Sequence, residues 1–222
     1  MIPDWLAPLA AAAGSITGHD LSQYLPPEDG SGRPSAVLIA FAEGPDGPAV
    51  LLIERASDLR KHAGQVAFPG GSVDVTDASP TAAALREATE EVGLDAAGVV
   101  VLAALPDIFI PVTGFVVTPV LAWCPDVRDV GAVRAVDAGE VARVELVPLA
   151  ELADPANRFQ VAGPMGYIRP GFEVRGLFVW GFTAGLLDRL LELAGWARPW
   201  DETARRTLPP LPKYDTPVGT VD

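Results

Sequence analysis

Apolar positions along the chain change period several times, and each change marks an element. "SAVLIAF" and "AVLLIER" are unbroken apolar runs of strand length separated by "AEGPDGP", whose glycines and prolines predict the turn of a β-hairpin. A helical spacing begins at Pro80, suited to the first turn, and ends at Val92 before Gly93. Strand-like runs return in "GVVVLAALPDIFI" and "GFVVTPVLAWC", with Pro119 arguing against a central place for the second. "EVARVELVPLAELAD" predicts a strand turning into a short helix, and "RFQVAG" and "YIRPGFEVRGLFVW" predict short strands with turns. In "GFTAGLLDRLLELAG", Leu186, Leu187, Leu190, Leu191 and Leu193 form the apolar face of a last helix.

The ends are less regular. Residues 3–13 predict a short amphipathic helix, followed by a loop containing "YLPPEDGSGRPS". From about Asp201, with "TLPPLPKYDTP", the chain lacks a period and is expected to be an extended arm or disordered. The organisation read from this pattern is an N-terminal extension over 1–34, one α/β domain over 35–200 and a Pro-rich tail over 201–222.

A chain of 222 residues, 49% hydrophobic and 20% charged, can bury a substantial single core. The net charge of −13 argues against a nucleic-acid or anionic-membrane surface. It leaves room for an anionic substrate, because a bound divalent cation inverts the local sign of a site. The single Cys124 excludes an intrachain disulfide and sits in an apolar run, as a small buried residue would. Asp4 and the lack of early basic residues speak against a signal peptide, and the apolar runs are too short or too interrupted to span a bilayer. A cytoplasmic protein is expected. A homodimer contact through "GFVVTPVLAW" or the tail is compatible with the sequence, which selects no oligomeric state.

The chemistry is concentrated in "FPGGSVDVTDASPTAAALREATEEVGL", Phe68 to Leu94. On a helix Glu87, Glu90 and Glu91 fall within an arc of roughly 100°, with Leu85, Ala88 and Val92 on the other side. Like charges at this spacing destabilise an isolated helix by a few tenths of a kcal/mol, about 0.2–0.5. A hard cation such as Mg²⁺ would use them, since it takes carboxylates together with substrate phosphates. Arg86 stands four residues before Glu90 and can hold its rotamer. Gly70 and Gly71 leave the approach to the helix open. The bland alternative for each feature is a solvated acidic face and an ordinary Pro-Gly turn.

Order and spacing together resemble the Nudix hydrolase signature, G-x5-E-x7-R-E-U-x-E-E-x-G-U with U a bulky apolar residue. "REATEEVGL" matches its second half, and Gly71 can serve as the opening glycine. The acid that follows is Asp77 in place of Glu, and its gap to Arg86 is one residue longer. The preceding "LLIERASDLRKHAGQVAFPGG" is similar to the extra motif of coenzyme A diphosphatases, with Arg55, Arg60, Gly64, Phe68, Pro69, Gly70 and Gly71 in register and Ile53 replacing a threonine.

The resemblance implies an α/β fold, an α/β/α sandwich on a mixed β-sheet. It implies Mg²⁺- or Mn²⁺-dependent cleavage of the diphosphate of coenzyme A or its thioesters, releasing 3′,5′-ADP and 4′-phosphopantetheine. Glu87, Glu90 and Glu91, with the Gly70 carbonyl, become the metal ligands, and Arg86 orients Glu90. Arg55, Arg60, Lys61 and His62 form a dense basic patch that can meet phosphates, with Phe68 and Gly71 also on the substrate side. Glu140, on the loop "DAGEVARVE", is the candidate general base beside the glutamates of the signature. Other nucleotide substrates, such as ADP-ribose or an oxidised nucleoside triphosphate, stay open, as do a catalytically silent nucleotide-binding protein and a calcium- or partner-binding acidic face.

Overall fold

A computed structural model describes residues 1–57, 64–127, 133–163 and 168–208. In chain order the elements are α1 (Ala7–Ala12), α2 (Gly18–Leu21), β1 (Arg33–Gly44), β2 (Gly47–Arg55), β3 (Val66–Ala67), β4 (Gly70–Ser72) and α3 (Pro80–Val92). They continue with β5 (Val100–Ala104), β6 (Ile108–Ile110), β7 (Phe115–Trp123), β8 (Val141–Pro148), α4 (Leu149–Leu152), β9 (Arg158–Ala162), β10 (Ile168–Val174), β11 (Leu177–Val179), α5 (Gly181–Leu193) and β12 (Arg205–Thr207).

The main sheet is mixed. Its backbone order is β3-β2-β1-β7-β5, with β4 added to β1, β6 to β7 and β8 to β2. The expected hairpin is present, and Phe41 to Gly44 pair with Val50 to Gly47 around Pro45 and Asp46. β1 and β7 pair in parallel, placing β7 in the interior of the sheet despite Pro119. The reason is local. The Pro119 carbonyl accepts from the Leu105 N–H at 2.8 Å, at the break between β5 and β6. In an extended residue N and O point to the same side, so the missing N–H falls where the neighbouring ladder is interrupted. That break also corrects the expectation of one strand over "GVVVLAALPDIFI": Leu105-Pro106-Asp107 separates β5 from β6.

Each face of the sheet carries its own core, giving the α/β/α sandwich. Toward α3, the strands present Ala36, Leu38, Ala40, Leu51, Ile53 and Val120 to Ala83, Ala84, Ala88 and Val92. Alanines on both sides let the helix lie close to the sheet, which brings its acidic edge against β4. The opposite face packs Ile39, Phe41, Leu52 and Leu121 against Leu6, Leu9, Leu186, Leu187 and Leu190. The N-terminal helix, shorter than expected, is therefore part of this core. Trp5 adds edge contacts to Trp123 and Phe41, with ring centroids 5.8 and 6.3 Å away.

A second sheet of order β11-β10-β9-β12 extends the α5 layer. Of the tail from Asp201, expected to be an extended arm or disordered, Arg205 to Thr207 belong to it and pair in parallel with Gln160 to Ala162, while residues 209–222 lie outside the described residues. Cys124 is buried, and burial pushes its thiol up to about 12. Among the described residues no helix is long and apolar enough to cross a membrane.

Candidate active site

α3 starts and stops where its sequence dictates. The Ser79 hydroxyl accepts from the Ala82 N–H at 3.2 Å, and Gly93 ends the helix at φ 67°. Between these caps the helix turns Glu91 inward. Glu91 is only 4% exposed, an unusual place for a carboxylate, and burial pushes it up to about 7. The Gly70 N–H donates to its Oε2 at 2.9 Å, and Arg55 Nη1 donates to its Oε1 at 3.2 Å. Both contacts oppose the shift, while the charges of Glu87 and Glu140 add to it.

Glu87 is raised as well, first by burial and against the pull of Arg86. Its carboxylate lies over Gly71, where an added Cβ would come within 2.4 Å of Oε1. Gly71 thus leaves space for Glu87. Gly70 is constrained more severely, since a Cβ there would meet the Ala36 carbonyl oxygen at 2.3 Å and its φ is 157°.

Arg86 organises the rest. Its guanidinium engages Asp77 through two parallel bonds, Nε to Oδ1 at 3.1 Å and Nη2 to Oδ2 at 3.0 Å. Nη1 reaches Glu87 Oε1 and Glu90 Oε2, each at 3.0 Å, and Nη2 also donates to the Ser72 carbonyl at 3.1 Å. Asp77 is held below the usual carboxylate range by its bond to Arg86, and Arg86 is raised in turn. Sequence reasoning presents Asp77 only as a departure from a pattern and misses this role. The signal is its position, since it falls six residues after Gly71, where the signature has its first acid.

Glu140 arrives on a different loop. Its carbonyl accepts from the Ala56 N–H at 2.9 Å, next to Arg55. The same loop is tied to α3 by the Arg134 N–H on the Val92 carbonyl and the Val136 N–H on the Glu91 carbonyl, at 2.9 and 3.0 Å. The side chain is exposed on the Glu91 side of the molecule. Glu87, Glu90, Glu91, Arg86, Arg55, Gly70 and Gly71 are brought together as expected. Phe68 is not among them. It is 2% exposed and packed in the core on the α5 side, because the chain reverses at Pro69 and leaves the ring behind the sheet. Arg60, Lys61 and His62 lie outside the described residues.

Among the described residues no three acidic, His or Cys side chains are gathered into a ready metal cage. The arginines and the Gly70 amide engage the carboxylates instead. The donor set nevertheless fits a hard divalent cation, being all oxygen and including two carboxylates that burial makes costly to ionise without a counter-charge.

Comparison with known proteins decides the family, since the profile described as NUDIX domain matches residues 32–165. The chain belongs to the Nudix family. Proteins named "Uncharacterized Nudix hydrolase NudL" are similar to it: that of Cronobacter sakazakii is 46% identical over 165 residues, 71% of this chain and 81% of the relative. The Escherichia coli K12 protein of that name is 44% identical with the same coverage, and that of Klebsiella pneumoniae 45% over 174 residues, 75% of this chain and 85% of the relative. The crystal structure of a Nudix hydrolase from M. smegmatis, RenU, superposes with a TM-score of 0.52 at 23% identity, covering 82% of this chain and 99% of that one, a likeness of fold. This Nudix protein is accordingly a hydrolase of diphosphate bonds in small nucleotide-derived substrates, in a family that in general needs divalent metal ions.

Proposed function

We propose that this Nudix hydrolase cleaves the diphosphate of coenzyme A or its thioesters, yielding 3′,5′-ADP and 4′-phosphopantetheine or its acyl form. The observation that carries the reading is the junction at Arg55. The segment resembling the coenzyme A motif leaves β2 there and returns to the same residue: the Arg55 N–H donates to the Gln65 carbonyl and its carbonyl accepts from the Gly64 N–H, both at 3.0 Å. Arg55 itself touches Glu91. Arg55, the first basic residue of that motif, thus stands at the acidic site, where a diphosphate would need cations.

In this reading Glu87, Glu90 and Glu91, with the Gly70 carbonyl, would hold Mg²⁺ or Mn²⁺, which would supply charge neutralisation of the diphosphate and an acidified water. Arg86 holds Glu87 and Glu90 in place. Glu140 is the general base, its exposed carboxylate carried by a loop pinned to both α3 and the end of β2. The protein acts in the cytoplasm on a small-molecule substrate, as a homodimer or a monomer, with 35–200 as its catalytic domain.

The decisive experiment is Mg²⁺- and Mn²⁺-dependent hydrolysis of coenzyme A, dephospho-coenzyme A and ADP-ribose, with products identified by mass spectrometry and Glu91→Gln as control. Coenzyme A preferred by kcat/KM, with metal-dependent 3′,5′-ADP lost in the variant, supports the proposal. Preference for ADP-ribose would leave the family standing and sink the substrate.

A further inference from the structure

The two oxygens of Glu91 are unequal partners for a cation. Oε2 is held by the Gly70 amide, a neutral donor fixed in β4. Oε1 is held by the Arg55 guanidinium at 3.2 Å, a full positive charge. A divalent ion on Oε1, at a ligand distance of about 2.1 Å, would sit beside that charge in a site shielded from water, where repulsion is strong. The guanidinium must then leave. The backbone of Arg55 cannot follow, being bonded on both sides to Gln65 and Gly64, but its side chain is 26% exposed and can swing outward.

We propose that Arg55 exchanges Glu91 for the substrate's diphosphate, so that uptake of the cation and uptake of the diphosphate are coupled through this one side chain. Displaced from Oε1, the guanidinium loses a charge-assisted bond. A metal-held diphosphate offers its planar fork two phosphoryl oxygens in return. By linkage, the diphosphate then favours the metal and the metal favours the diphosphate by the same factor. Arg55 acts as a gate against the cation when alone and as a clamp on the substrate. The inference rests on Glu91 being a metal ligand and is independent of which nucleotide is cleaved.

The test measures Mn²⁺ binding by calorimetry and electron paramagnetic resonance at pH 8. Binding of imidodiphosphate, a non-hydrolysable diphosphate, is then measured in Mn²⁺-saturated protein. Both are done on the full chain and on Arg55→Met, Arg55→Lys, Arg134→Met and Glu91→Gln. Arg55→Met is expected to tighten Mn²⁺ roughly tenfold and to weaken imidodiphosphate by a similar factor, the scale of a charge-assisted hydrogen bond. Arg55→Lys should fall between. Misfolding cannot produce tighter metal binding, so opposite signs are diagnostic. Unchanged or weaker Mn²⁺ binding in Arg55→Met overturns the proposal. So does an equal tightening in Arg134→Met, which removes a nearby exposed charge that does not touch Glu91. Glu91→Gln separates the premise: if it binds Mn²⁺ as well as the native chain, Glu91 is no ligand and the exchange has no basis.

Discussion

Two arginines in this protein are each surrounded by carboxylates, and the surroundings differ. Arg175 reaches Asp46 at 2.5 Å, Glu151 at 2.8 Å and Glu145 at 3.4 Å. Those acids come from the β1–β2 turn, α4 and β8, so one side chain ties the second sheet to the first. Arg86 reaches Asp77, Glu87 and Glu90, all at 3.0 Å, but these come from α3 and the loop just before it. The first cluster joins distant elements. The second holds neighbouring carboxylates in fixed positions, and beside it Glu91 is buried without sharing Arg86. Clustered charge serves stability where it bridges elements, and it stores unneutralised negative charge where it does not. Substitutions that separate those two roles test the distinction.

The largest effect is expected at Glu91. Glu91→Gln should lower kcat for the diphosphate substrate by roughly a thousandfold, the several kcal/mol that a lost metal contribution represents. The Tm of protein stripped with a chelator should hold or rise, because the substitution removes a desolvated charge. A matching fall in Tm would mean that the carboxylate is structural. Next comes the pair of glycines. At Gly71 the atom in the way is the mobile end of Glu87, so Gly71→Ala should fold normally and lose about 10²-fold in kcat/KM, the penalty of a carboxylate displaced by about an ångström. At Gly70 the obstacles are the backbone of Ala36 and Val37, so Gly70→Ala should lose stability as well. Equal Tm values for the two variants would contradict this division.

At the other arginine the signs reverse. Arg175→Ala should destabilise by about 2 kcal/mol through its partly exposed network and leave kcat/KM within about twofold. Arg175 is also the one described non-glycine residue at positive φ, 52°. Arg175→Gly should therefore be less damaging than Arg175→Ala by about 0.5–1 kcal/mol, since glycine accepts that conformation without strain. Denaturant melts of the two variants check the order.

How much of this was legible depended on whether a feature was local. The β1–β2 hairpin and α3 were readable because their limits are written in residues that force them: Pro45-Asp46-Gly47 in one, Pro80 and Gly93 in the other. The crowding of Glu87, Glu90 and Glu91 on one helix edge was readable from periodicity. Periodicity does not report depth, and the burial of Glu91 depends on β4 lying against α3. The bidentate Arg86–Asp77 pair was missed because the loop from Ser72 to Ser79 has no period and folds back on the helix. Phe68 was misplaced for a related reason: adjacency to Gly70 in sequence was taken as adjacency in space, and Pro69 turns the chain between them. Pro119 misled by a rule true of most strands, because a break in the neighbouring ladder accommodates its missing donor. β12 was unreadable because a three-residue strand of Arg-Arg-Thr carries no apolar alternation and forms only beside β9.

The smallest predicted effect concerns the proton that competes with the cation. Burial raises Glu91 to about 7, so the folded protein holds this proton in a range where the unfolded chain has released it. A group raised in this way makes the fold less stable as pH climbs from the ordinary glutamate value toward 7, because ionisation then occurs in a desolvated place. In protein stripped of metal, Tm should decline over that window, and Glu91→Gln should flatten the decline. Added Mg²⁺ stabilises by binding the folded state alone, and it must displace the Glu91 proton wherever that proton is present. The Mg²⁺-induced rise in Tm should therefore be larger at pH 8 than at pH 5.5, by a few degrees for about 1 kcal/mol in a chain of this size. An equal rise at both values would place the cation away from Glu91, and would leave that carboxylate with a structural role like those around Arg175.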